Sequence, residues 1–415
     1  MTGAEYLPRL VDRLLTELLD ALPGVLVVGA RATGKTTTAA RHAASVVHLD
    51  RDSEAEQFRA DPDVALAGLP EPILLDEWQA VPGVLGAVKR AIDGSSRPGR
   101  FIVTGSVRDD LLRSSWPITG RLVRVEMDTL AVREALGRDL TGEPFLRRLA
   151  DGGVDSLLPP GAPPDLRNYV ELAARGGYPD PVLKLPASIR GRWLLSYLDR
   201  LLTRDAAEID VVRDPVRLMR FFQAYTLNTA GEVTDRTLHE TAGIDRKTAD
   251  AYERLLQTLL VVESVPAWST NRLKRLVRTP KRYVRDTGLA AAVMDTDVDG
   301  MLRDGDLLGR MIDTFVLAQL RAEMPLYDKP PRLYHLRQEG GAREVDLVVE
   351  LNPRQVIGLE IKARSAPAAK DARHLVWLRD QLGESFVAGV VLHTGPHVYR
   401  LADRIVAAPI ASIWG

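Results

Sequence analysis

The chain has 415 residues, 45% hydrophobic and 27% charged, enough to bury several compact cores. Its 55 lysines and arginines against 56 aspartates and glutamates leave a formal charge of −1, which excludes a global electrostatic pull toward nucleic acid, so any basic face must be local. The absence of cysteine excludes disulfides, thiolate catalysis and cysteine-ligated zinc, and the seven histidines are scattered, which argues against a histidine-built metal site.

In chain order, Leu7, Leu10, Val11, Leu14, Leu15, Leu18 and Leu19 recur at helical spacing and predict an amphipathic helix ending near Pro23-Gly24. Acids and arginines interrupt that segment, so it reads as neither signal peptide nor membrane span. No run approaches the roughly 20 apolar residues of a bilayer crossing, and a cytoplasmic protein without membrane contact is expected. VLVVG predicts a buried strand, and VVHLD, PILLDE and RFIVTGS predict further parallel strands alternating with helix-compatible stretches up to about residue 130. The Gly- and Pro-rich stretch DGGVDSLLPPGAPPD (151–165) breaks this rhythm and predicts a boundary. Helical spacing then dominates, and strands return after about residue 300 with EVDLVVEL and VIGLEIKA.

The stretch GARATGKTT, between the VLVV strand and a helix-compatible segment, carries the pattern Gly29-x4-Gly34-Lys35-Thr36. Glycines at those places let main-chain N–H groups from Gly29 through Ala30, Arg31, Ala32, Thr33, Gly34 and on to Thr37 close around phosphates. Lys35 would reach the β/γ oxygens and Thr36 would ligate Mg²⁺, while the helix that follows adds its N-terminal dipole. Downstream, the apolar run in ILLDE leads to Asp76, a candidate for the Mg²⁺ shell, and Glu77, a candidate to orient or deprotonate an attacking water. A solvated acidic pair ending a core strand is the bland alternative. FIVTGS would put Thr104 and Ser106 at the level of the phosphates, where either hydroxyl contacts the γ-phosphate or the water, or caps its own turn. Arg121, in ITGRLVRVEM, is the candidate cation for transition-state charge, from its own or a neighbouring subunit; a structural salt bridge is the alternative.

These blocks, together with EYLPRLVDRLL, HLDRD, LLDEWQAVPGVL and RGGYPD in that order, resemble the prokaryotic AAA-type ATPases that carry a C-terminal domain of unknown function related to restriction endonucleases. The resemblance spans nearly the whole chain. LLDEWQ departs from the group's Asp-Glu-aliphatic-Gln block by placing Trp78 where an aliphatic residue is usual. The resemblance implies ATP rather than GTP, hydrolysis through Asp76 and Glu77, a sensing role for Thr104, an arginine-finger role for Arg121, and a helical lid after the core.

Farther along, VTDRTLHETAGIDRKTADAYERLLQTLLVVESVPAW reads helix, turn at Gly243, helix, strand, a helix-turn-helix outline with Arg246, Lys247 and Arg254 on the second helix beside Asp250 and Glu253. In NRLKRLVRTPKRYVRD the cations Arg272, Lys274, Arg275, Arg278, Lys281, Arg282 and Arg285 alternate with apolar residues, the pattern of a β-wing with one basic edge. DNA-phosphate binding is one reading; a solvated hairpin, or a surface docking acidic parts of its own ATPase, is the other. The group named above also shows a winged helix followed by a block similar to PKRYVRDTGLA.

EVDLVVELNPRQVIGLEIKAR places Asp346 on one strand and Glu360-x-Lys362 on the next, across a turn at Asn352-Pro353. A hairpin would bring both carboxylates to one side, where they could bind a divalent metal while Lys362 positions water. This resembles the Asp/Glu-x-Lys core of restriction-endonuclease-like folds, with Asp313 on the preceding helix where the ATPase group more often has Glu. An inert inherited scaffold is the alternative.

The expected architecture is α/β: an AAA-type ATPase core with a P-loop parallel sheet (1–150), a helical lid (165–215), a winged helix (216–290) and a C-terminal restriction-endonuclease-like domain (300–415). The expected function is ATP binding and hydrolysis with Mg²⁺, acting on or with DNA. The alternative is a nucleotide-gated regulatory or scaffold ATPase whose C-terminal domain is inert. DNA and further copies of the same chain are the candidate partners. A small-molecule kinase on the same loop finds no acceptor-binding signature.

Overall fold

The computed structural model describes residues 6–105, 119–138, 140–157, 161–206, 214–269, 279–338 and 342–415. The amino-terminal part is built on a five-stranded sheet of β1 (Gly24–Val28), β2 (Ser45–His48), β3 (Ile73–Asp76), β4 (Phe101–Gly105) and β5 (Val123–Glu126), in the order β2-β3-β4-β1-β5. Every pairing is parallel. Alternation along β1 explains why both faces are covered. Val25 and Val27 pack with Leu15 and Leu19 of the helix Val11–Ala21. Leu26 and Val28 turn to the opposite face, with Val84, Leu85 and Val88 of the helix Val84–Gly94 and Phe58 of the helix Asp52–Ala60. Because β4 is inserted between β1 and β3, its tip stands between the loop leaving β1 and the acidic end of β3.

The middle of the chain is helical. Leu166–Arg175, Pro179–Lys184 and Ala187–Arg200 precede the helix Pro215–Leu227. Asp235–Ala242 and Arg246–Thr258 then flank Gly243, whose φ of 66° takes the left-handed turn that a side chain would strain. Thr234 and Asp245 cap these two helices by accepting from Thr237 N and Thr248 N. After them β6 (Val262–Val265) pairs antiparallel with β7 (Lys281–Val284).

The C-terminal part holds a mixed sheet of β8 (Arg332–Arg337), β9 (Glu344–Asn352), β10 (Gln355–Lys362), β11 (Phe386–His393), β12 (Tyr399–Ala402) and β13 (Ile405–Pro409), ordered β12-β13-β11-β10-β9-β8. Its β9–β10 hairpin is antiparallel, whereas β10–β11 and β11–β13 are parallel. Ile357 and Leu359 face the core that holds Met311 and Phe315 of the helix Gly305–Ala322. Val356 faces Leu375 and Leu378 of the helix Arg373–Leu382 on the other side.

Packing does not respect the sequence break at 151–165. Phe145, Leu146 and Leu149 of the helix Phe145–Gly152 enter the same apolar core as Tyr169, Phe221, Phe222 and Trp414, and Arg148 donates to the Ser412 carbonyl at 2.6 Å. The helical middle and the C-terminal sheet therefore share one interior.

The seam between the parts is the stretch Lys281–Gly288. Of the readings open for Lys281, Arg282 and Arg285, an exposed wing or a surface docking the protein's own acids, the structure has the second: they are 4%, 3% and 8% exposed, and each meets acids inside the protein. Lys281 Nζ lies 2.6 Å from Asp313 Oδ2 and Arg282 Nε 3.0 Å from Glu253 Oε1, with Asp235 also bound to Arg282. Arg285 reaches Glu126 at 2.6 Å and Asp128 at 2.5 Å, on the edge of the parallel sheet. Both faces of β7 are buried, so alternate side chains are delivered to different neighbours; cations alternating with apolar residues look the same whether the charged side meets water or carboxylates. Arg272, Lys274, Arg275 and Arg278 lie outside the described residues.

The same stretch closes on the turn after the helix Leu166–Arg175. Asp286 accepts from Gly177 N at 2.8 Å, and a Cβ on Gly288 would stand 2.8 Å from Gly176 Cα and 2.9 Å from the Arg175 carbonyl. Backbone cannot yield as a flexible side chain can, so Gly288→Ala is expected to destabilise the protein by ~1–3 kcal/mol. Thermal unfolding measures this, and a variant melting with the wild type would show that the seam is looser than this packing requires.

Candidate phosphate-binding site

The loop between β1 and the helix Lys35–Ala39 curls because two of its residues take positive φ, Ala32 at 60° and Gly34 at 94°. Gly29 is held against its neighbour so closely that a Cβ would stand 2.4 Å from the Met127 carbonyl. Thr33 Oγ1 donates to the Ala30 carbonyl at 2.9 Å and tightens the turn. Lys35 follows and folds its side chain back into the loop, where Nζ donates to the carbonyls of Gly29 (3.0 Å) and Ala30 (2.8 Å). Burial pushes the Lys35 ammonium down to about 8, against the opposing pull of Glu77 and Asp76.

Opposite the loop, Asp76 is nearly buried at the end of β3. Its Oδ1 accepts from Thr36 Oγ1 at 2.8 Å and from Thr104 Oγ1 at 2.5 Å, and its Oδ2 lies 3.1 Å from His48 Nδ1. The expected residues Thr36, Asp76 and Thr104 are thus drawn together from three separate elements, as the insertion of β4 dictates. A carboxylate and a hydroxyl side by side form the hard oxygen donor set that suits Mg²⁺. Glu77 sits next to them in left-handed backbone (φ 53°), bound by the Gln79 amide, and burial raises its carboxyl above the ordinary range.

The loop opens into a cleft of about 1420 Å³. Arg31, Ala32, Gly34, Lys35, Thr36, Thr37 and Glu77 line it from the sheet side. Tyr6 and Leu7 line it from the amino-terminal segment, and Trp193, Tyr197 and Arg200 from the helix Ala187–Arg200. The Trp193 and Tyr197 rings stack with centroids 5.5 Å apart and planes 4° from parallel. Arg121 is not in this lining. Its guanidinium pairs with Asp93 at 2.6 Å and forms the surface ion pair weighed as its alternative role. Ser106 lies outside the described residues.

Sequence spacing missed four contributors. His48 is the β2 residue in register with Asp76, a position legible only once the strand order is known. Arg9 donates from Nη1 to the Thr33 carbonyl at 2.9 Å and from Nη2 to the Asp128 carbonyl at 2.8 Å, while its Nε pairs with buried Glu134. Trp193 and Tyr197, four positions apart on a helix, carried a signal indistinguishable from that of a packing face.

The residues of the second expected centre gather in one pocket. The hairpin does bring Asp346 and Glu360 together, and Ile361 N donates to Asp346 Oδ2 at 2.9 Å. Lysines then fill the space between the carboxyl groups. Lys362 Nζ lies 2.8 Å from Glu360 Oε2 and 3.7 Å from Asp346 Oδ2. Lys281, from outside the domain, lies 2.6 Å from Asp313 Oδ2 and 3.4 Å from Asp346 Oδ1, and Tyr283 Oη donates to Asp313 Oδ1 at 3.2 Å. Among the described residues no three carboxylates or imidazoles are placed to share a metal ion. Burial and then the Asp346 charge raise Glu360 well above the usual carboxyl range, and burial lifts Asp313 to about 6. Burial opposes the Lys281 charge, but Asp313 and Asp346 outweigh it and hold the ammonium well above its ordinary range.

No helix among the described residues is long and apolar enough to cross a membrane. Residues 23–136 match the AAA domain family, and residues 166–299 and 308–413 match two families described as domains of unknown function, DUF8612 and DUF4143. Two curated relatives, the uncharacterized proteins Rv2008c of Mycobacterium tuberculosis and Mb2031c of Mycobacterium bovis, are each 30% identical over 404 residues, 96% of this chain and 82% of theirs. Among solved structures, the Walker-type ATPase of Pyrococcus abyssi is 15% identical with a TM-score of 0.41, over 68% of this chain and 94% of that one. A RuvB variant of Thermotoga maritima is 19% identical with a TM-score of 0.29, over 66% and 90%. Scores below 0.5 leave the weight on the sequence matches and on the parallel sheet itself. The chain belongs to the family of these mycobacterial proteins, and its amino-terminal part is a P-loop AAA domain.

Proposed function

We propose that the protein binds ATP with Mg²⁺ in the cleft above the Gly29–Thr37 loop and hydrolyses it. The observation that carries this reading is Lys35, a buried ammonium whose partners among the described residues are the carbonyls of its own loop. Main-chain carbonyls neutralise a buried charge poorly, and an arriving phosphate does so fully. In the bound state Lys35 leaves those carbonyls for β/γ oxygens while the loop amides surround the phosphates. Mg²⁺, when bound, draws charge from the phosphate oxygens. Thr36 and Asp76 hold its shell, and His48 steadies the Asp76 carboxylate. Glu77 accepts the proton of the attacking water; its raised affinity for protons suits a general base. Thr104 orients the γ-phosphate or the water. The Trp193–Tyr197 stack offers an apolar surface for the base. Arg121, paired with Asp93 outside the cleft, is assigned a role only across an interface between copies of the chain.

What turnover drives has two readings. Action on DNA rests on the helix-turn-helix outline and on cations beyond the described residues. The nucleotide-gated regulatory ATPase is favoured by Lys281, Arg282 and Arg285, which spend their charge on internal carboxylates. ATPase rates measured with duplex and single-stranded DNA over a salt series separate the two: stimulation that collapses with rising salt supports action on DNA, and indifference supports the regulatory reading.

Two outcomes test the site itself. Glu77→Gln should keep ATP affinity close to wild type and slow hydrolysis by about 10²- to 10⁴-fold. Steady-state turnover beside equilibrium binding checks this, and full-rate hydrolysis by the Gln variant would remove Glu77 as the base. The Lys35 ammonium, at about 8 in the free protein, is raised by a bound phosphate, so binding takes up a proton and weakens as pH rises through 8. Calorimetry at pH 8 in buffers of differing ionisation enthalpy should show net proton uptake on ATP binding; no buffer dependence would contradict the assignment.

A further inference from the structure

We propose that Lys281 is a built-in cation: its ammonium fills the Asp313–Asp346–Glu360–Lys362 pocket in place of a divalent metal, and the pocket is a socket for β7 and not a nuclease centre. The residue types match a metal-dependent Asp/Glu-x-Lys site, yet the oxygens do not fit one. A divalent cation such as Mg²⁺ needs about six oxygens turned toward one point at roughly 2.1 Å. Here Asp313 gives one oxygen to Lys281 and the other to Tyr283. Asp346 gives one to Lys281 and the other to Ile361 N and Lys362. Glu360 Oε2 faces Lys362, and its Oε1 is buried without a hydrogen-bond partner, one open oxygen where a divalent cation needs about six.

Charge works against a metal as well as geometry. Three carboxyl groups face two ammonium groups, which offset most of their negative charge, and both lysines would repel an entering divalent cation. Lys281 is 4% exposed and comes from a strand paired with β6, outside the C-terminal sheet. Because the lysine and its acids belong to different parts of the chain, the pair fixes where β7 sits. Breaking it leaves uncompensated charge inside the protein, which gives the contact its specificity. This inference does not depend on nucleotide binding.

Manganese binding to the full chain, without nucleotide, tests it. Mn²⁺ titrations followed by electron paramagnetic resonance should find no bound ion in the wild type that Asp346→Asn removes. Lys281→Met, which keeps the length of the side chain and deletes its charge, should gain a Mn²⁺ site about tenfold or more tighter than any in the wild type. That site should vanish in the Lys281→Met/Asp346→Asn double variant, and Mn²⁺ should raise the melting temperature of Lys281→Met but not of the wild type. A wild-type Mn²⁺ site abolished by Asp346→Asn would overturn the proposal, and this arm holds even if Lys281→Met does not fold. A folded Lys281→Met that gains no site would overturn it too.

Discussion

A positive charge buried beside backbone carbonyls is the constraint on which the amino-terminal half depends. Lys35 is 6% exposed and is held within its own loop, a placement that costs free energy until an anion arrives. The surrounding elements serve that placement. The short buried strands bring the loop, Thr104 and Asp76 to one edge of the sheet, and the order β3-β4-β1 sets their spacing. Helices pack on both faces of the sheet, while the amino-terminal segment and the helix Ala187–Arg200 complete the cleft around that edge.

The loop is also physically continuous with the rest of the molecule. Its Thr33 carbonyl accepts from Arg9, Arg9 also bonds the Asp128 carbonyl, and the Asp128 carboxylate holds Arg285. From Arg285 the chain runs back to Lys281 among its acids and forward to Asp286 and Gly288 against Gly176 and Gly177. One short stretch thereby touches the parallel sheet, the turn at Gly176-Gly177, the helices Asp235–Ala242 and Arg246–Thr258, and the C-terminal sheet. Contiguity of this kind supplies a mechanical route for the nucleotide state to be felt elsewhere; it becomes coupling only if the stretch has two arrangements that nucleotide distinguishes.

Legibility in the sequence followed the physics of burial. β1, β3 and β4 are buried at every position, so continuous apolar runs announced them. β5 was missed because VRVE is an edge strand with charges at alternate positions and only Val125 buried. The loop, Asp76 and Thr104 could be found because motif and strand ends coincide. His48 and Arg9 could not, since each acts through a contact between segments distant in sequence. The C-terminal hairpin and its Asp346–Glu360 proximity were readable from strand alternation. The occupant of the pocket was not, because Lys281 arrives from 65 positions away and reads locally as one more cation in a basic run.

The most direct measurement is calorimetric titration of the folded chain with ATP and Mg²⁺, beside Lys35→Ala. The account predicts one ATP bound per wild-type chain, with heat lost or sharply reduced in the variant although its fold is unchanged. A folded wild type that gives no heat with ATP or a non-hydrolysable analogue, or an alanine variant that binds as tightly as the wild type, would contradict it.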